Sequence, residues 1–159
     1  MKIKKIASIA EIVSAAAVIV SLLYVGYEVR QNTAAVKSSA DQSIHDAEDM
    51  YWSSISGDAE LSALWEAGLS GGLQALSPDR QPQFSTTARR LIYLFQNVHY
   101  QRRKGVVDDE LWSAWLASLD EFLAMQGFSD VLATARPHLS EPFIALLDSR
   151  QSLASAHDN

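Results

Sequence analysis

The longest uncharged stretch of the chain, Ile12 to Tyr27, follows a basic start, Met1-Lys-Ile-Lys-Lys5, and constrains the protein more than any other feature. As a helix, its 16 residues would reach about 24 Å, short of the roughly 30 Å hydrocarbon core of a bilayer. Extended back to Ile6, the helix reaches about 33 Å and takes in Glu11. That carboxylate would lie within two turns of the start, where it can reach toward headgroups or lie against a partner. Tyr24 and Tyr27 suit the far interface, and Arg30 is a polar stop. A cleaved signal peptide would share the basic start and apolar middle, but no small-x-small site follows the run. A buried core helix is the other rival, and the basic start and tyrosine end speak against it. The sequence therefore predicts a membrane anchor over residues 1–30.

Ala7, Ala10, Ser14, Ala17 and Ser21 recur at spacings of three and four within the span. On a helix they form one narrow stripe of small residues opposite Ile12, Val13, Ile19, Val20 and Leu23. Such a stripe lets two membrane helices approach closely, and it predicts an interface with a second copy or with a larger membrane complex. Glu11 is a candidate partner contact beside it. Lys2, Lys4 and Lys5 precede the span, against Arg30 and Lys37 after it, which favours a cytoplasmic N-terminus and a periplasmic C-terminal domain.

Beyond the span nothing breaks a helix until Ser56-Gly57-Asp58. Val36, Ala40, Ile44, Ala47, Tyr51 and Ile55 share a face, so an amphipathic stalk is predicted over residues 31–56. Asp58 is placed to cap a helix carrying Leu61, Leu64, Trp65 and Leu69, which Gly68, Gly71 and Gly72 stop. Ser77-Pro78-Asp79 signals the next start, with Phe84, Ala88, Leu91, Phe95 and Val98 on one face and Arg102-Arg-Lys-Gly105 at the end. Asp108 caps a helix with the stripe Trp112, Trp115, Leu116, Leu119, Phe122 and Leu123, stopped by Gly127. A short helix spans about Ser129 to Ala135, and Ser140 starts a last one. The expected fold is all-α: a transmembrane helix continuing into the stalk, packed with a small four- to five-helix domain at residues 57–151, then a polar tail at 152–159.

A net charge of −6 argues against a nucleic-acid partner, and the absence of cysteine removes disulfides, thiol catalysis and thiolate metal sites. The densest set of possible ligands is His45-Asp-Ala-Glu48-Asp49, where His45 and Glu48 share a helix face. A bundle metal site needs a second such pair, and His99 has no acid three or four residues away. A solvated stalk face is the simpler account, so no cofactor and no catalytic residue are expected. A metal-dependent enzyme using His45 and Glu48 together with His99 is the lesser alternative. Trp112 and Trp115, three apart on one helix, are candidate partner anchors.

Two phrases frame the helical region: Val20-Ser-Leu-Leu-Tyr-Val-Gly-Tyr-Glu-Val-Arg-Gln-Asn32 at the end of the anchor, and Gly57-Asp-Ala-Glu-Leu-Ser-Ala-Leu-Trp65 after the stalk. With Gln101-Arg-Arg-Lys-Gly105 before a Trp-bearing helix, the chain resembles uncharacterised bacterial single-pass, membrane-anchored helical proteins of a domain-of-unknown-function type. The resemblance implies an anchor in the bacterial inner membrane and an all-helical fold, with no activity to transfer. The expectation is a membrane-bound accessory or interaction protein, alternatively a helical-bundle ligand-binding or sensor domain.

Overall fold

The computed structural model describes the backbone of residues 2–157 and the side chains of residue 14 and residues 16–153. Among the described residues the chain is all-helical, with six α-helices and no strand. They are α1 (Lys2–Ser56), α2 (Ala59–Gly71), α3 (Gln81–Arg103), α4 (Asp109–Leu123), α5 (Gln126–Ala135) and α6 (Glu141–His157). Two compact units divide the chain, residues 1–39 and 40–159, so the last turns of α1 belong to the second unit.

In the first unit the described side chains of α1 are exposed, including the large apolar ones from Val18 to Val29. Among the described residues, no helix is long and apolar enough to cross a membrane. The side chains of Ala7, Ala10 and Glu11 lie outside the described residues; Ser14, Ala17 and Ser21 are exposed. The Ser21 hydroxyl donates to the Ala17 carbonyl at 2.9 Å. That bond satisfies the hydroxyl within its own helix, so the small stripe carries no unpaired donor at that point.

In the second unit, the stalk periodicity holds from Ala40 onward. Ile44, Tyr51 and Ile55 are buried, whereas Val36 is exposed. The α3 stripe is buried throughout, at Phe84, Ala88, Leu91, Phe95 and Val98. Both acidic caps form: Asp58 accepts from the amides of Glu60 and Leu61, and Asp108 accepts from that of Leu111 at 2.8 Å. Each satisfies otherwise orphaned helix donors and is worth about 1 kcal/mol. Gly105 ends the third helix with φ 74, as its basic-glycine phrase leads one to expect. The Arg102 guanidinium then pairs with Asp109 and donates to the Val107 carbonyl, fastening the end of α3 to the start of α4.

Three local readings shift. Ser77-Pro78-Asp79 forms a turn ahead of α3, its Ser77 carbonyl accepting from Arg80 and Gln81, and the helix proper begins at Gln81 with Pro82 in its first turn. Gly68 lies within α2 and Gly127 within the first turn of α5, neither at a stop. The helix α6 continues through His157.

α5 is the central helix of the unit, in contact with α2, α3 and α4. Rings from several elements meet there: Trp65 on Phe84, Phe95 on Phe128, and Phe122 on Phe128, with centroids 5.4–6.3 Å apart. Phe84, Phe128 and Phe143 are among the largest fully buried side chains, so aromatic packing supplies much of the apolar burial that holds the unit together.

Candidate functional site

A cleft of ≈ 220 Å³ opens in the second unit among the end of α1, α3 and α4. The stalk face contributes His45, Glu48 and Trp52, spaced three and four apart so that all three project from one side. From α3 come Leu91 and Phe95, both almost fully buried, which form the floor. The walls from α4 are Leu111, Trp115 and Phe122, while Ala114 and Ser118 on that helix are small. Two short side chains between large ones leave the space open.

The charged groups of the cleft lie at one place, with the Ser118 hydroxyl the other polar position on the lining. His45 lies 3.8 Å from Asp41 through Nε2 and 3.8 Å from Glu48 through Nδ1. Both separations exceed hydrogen-bonding distance, so these are loose polar neighbours on a partly solvated rim. No lysine or arginine is among the lining residues. Trp52 is 37% exposed, and its ring stacks on Phe122 at 6.3 Å. The neighbouring Tyr51 is not on the lining: its hydroxyl donates to the Thr87 carbonyl at 3.3 Å, and burial pushes its phenol well above its ordinary value.

The other sequence candidates lie apart from this cleft or form its wall. Trp115 is buried at 8% exposure and packs edge-on against Phe95 at 5.2 Å, so it is a core side chain facing a cavity. Trp112 is half-buried and stacks on His99 at 5.7 Å. His99 is not among the residues lining the cleft; its ring also lies against Phe143, 5.7 Å away. Among the described residues no three His, Asp or Glu side chains converge to hold a metal ion. Trp52 and Ser118 line the cleft without having been singled out by sequence, and Phe95 and Phe122, read there only as core stripes, line it too. The spacing of His45, Glu48 and Trp52 was the available signal, but their partner surface comes from α3 and α4.

The packing of His99 has a consequence in pH. Burial, and secondarily the Arg103 charge, hold its imidazole below the ordinary histidine value of 6.5. The unfolded chain therefore binds more protons than the folded one between the lowered value and about 6.5. Stability rises with pH through that window and is lost as pH falls through it, with no further contribution from His99 once both states are protonated. Urea melts of the wild type and His99→Phe across this range should show a shallower pH slope for the variant. Equal slopes would remove His99 as the cause.

No protein-family model, curated protein or solved structure matches this chain.

Proposed function

We propose that this protein is a single-pass accessory or interaction protein of the bacterial inner membrane, as its resemblance to membrane-anchored helical proteins implies. The observation that carries the reading is the collar of large apolar side chains on α1. Val18, Ile19, Val20, Leu22, Leu23, Tyr24, Val25 and Tyr27 are each at least 55% exposed. They occupy every face of the helix, and a helix that is apolar all round requires a nonaqueous surrounding. Residues 16–27 of the apolar run would span about 18 Å, and the residues back to about Ile6 are needed to complete a ~30 Å crossing. On this reading Glu11 lies near the cytoplasmic interface and the helical unit lies in the periplasm. The stripe Ala7, Ala10, Ser14, Ala17 and Ser21 is the contact with a second copy or with a larger membrane complex.

The test is fractionation of the full chain. The wild type should stay with membranes through an alkaline carbonate wash. Val18→Arg combined with Leu22→Arg adds about 2.5–3.5 kcal/mol of insertion cost per residue and should release the protein. A wild type recovered in the wash would sink the anchor. Membrane retention with unchanged self-association after Ala10, Ser14 and Ala17 are replaced by leucine would sink the stripe alone.

A further inference from the structure

We infer that the cleft among α1, α3 and α4 binds a small arylalkyl- or alkylammonium compound. The apolar part would lie against Phe95, Trp115 and Phe122, and the ammonium would sit between Glu48 and Trp52. The inference is independent of where the protein resides.

Three properties of the cleft select this chemistry. The first is size: an apolar cavity of about 150 Å³ accommodates benzene, and this one has ≈ 220 Å³, room for a ring with a short side chain. The second is the lining. Apart from the His45–Glu48 rim and the Ser118 hydroxyl, the lining is hydrocarbon or aromatic, so the buried portion of a ligand must be largely apolar. The third is the sign of charge. Glu48 is the carboxylate on the lining, Asp41 lies behind His45, and no lysine or arginine lines the cleft.

An anionic ligand would meet the Glu48 carboxylate with no lysine or arginine on the lining to offset it. An ammonium would gain a charge-assisted hydrogen bond to Glu48, whose loose 3.8 Å neighbour His45 leaves a short contact still to be made. It would also gain the attraction of the partly exposed Trp52 indole, since indole is the strongest of the side-chain rings toward cations. Carboxylate and indole lie one helical turn apart on α1, so a single cation can touch both.

The experiment uses the full chain in nanodiscs of uncharged lipid, with empty discs as reference. It reads intrinsic tryptophan fluorescence and ligand-observed NMR. Phenethylammonium should bind saturably with submillimolar affinity. Glu48→Gln should weaken it by about tenfold while leaving the neutral probe 2-phenylethanol unchanged. Ala114→Phe, which fills the cleft and keeps the charge, should abolish binding of both probes. The inference is overturned if 3-phenylpropionate binds as well as phenethylammonium, or if Glu48→Gln leaves the cation's affinity unchanged. It is equally overturned if Ala114→Phe still binds, or if nothing saturates by about 10 mM.

Discussion

Replacing Gly127 by alanine is expected to destabilise the helical unit by about 3 kcal/mol and to lower its thermal midpoint by about 10 °C. A Cβ built at Gly127 lies 1.9 Å from the Gly68 carbonyl oxygen and 2.7 Å from its carbon. The obstacle is backbone, and that carbonyl is held by the Gly72 amide, which donates to it at 3.0 Å. No rotamer change relieves the clash, so α2 and α5 must separate, and the packing around them must follow. Gly68 is close-packed for a different reason. Its Cβ would meet ring atoms of Phe84 at 2.4–2.8 Å, and Phe84 is fully buried against Trp65.

Thermal and urea unfolding of single and double variants separates the two causes. Phe84→Leu should recover part of the loss caused by Gly68→Ala, because a smaller side chain vacates the clash. It should recover much less from Gly127→Ala, where it relieves the 3.0 Å contact with Phe84 Cζ and leaves the backbone clash with Gly68 in place. Gly26→Ala, in a position with open space around it, is the control. A Gly127→Ala protein with an unchanged midpoint would mean that the helices do not approach as closely as described.

The second large effect concerns where the folded unit begins. A chain lacking residues 1–39 is expected to fold and unfold cooperatively, whereas one lacking residues 1–56 is expected to lose cooperative unfolding. The difference is the end of α1, which buries Ile44, Tyr51 and Ile55 at 0%, 2% and 5% exposure. Burial of each such side chain is worth on the order of 2 kcal/mol, and the total stability of a domain is about 5–15 kcal/mol. Removing all three would therefore consume most of what holds the unit together, and would also bare Trp65 and Thr87, which Tyr51 covers. Circular dichroism with urea titration would decide it. A cooperative transition for the shorter chain, at an unchanged midpoint, would show that the stalk is dispensable.

How much of this was legible beforehand depended on the range of the forces involved. The helices of the second unit, the capping by Asp58 and Asp108, the glycine end at Gly105 and the buried face of α3 could be read from sequence. Each is settled within a turn or two of chain by periodicity and by the hydrogen-bonding needs of helix ends. The apolar character of residues 12–27 was equally plain, because it needs no partner to be recognised.

What the sequence hid was set between elements distant in the chain. Gly68 and Gly127 looked like helix stops, since nothing local reveals that α2 and α5 cross at those two positions. The polar face of His45 and Glu48 looked merely solvated, because the Phe95 floor and the α4 wall opposite it lie some 45 or more residues onward. Trp115 looked free to meet a partner until Phe95 packed against it. The sequence by itself determined which segments are helical and which faces are apolar. The tertiary structure alone decided which small residues are contacts and where the packing leaves a cavity, because both depend on side chains brought together only when the helices cross.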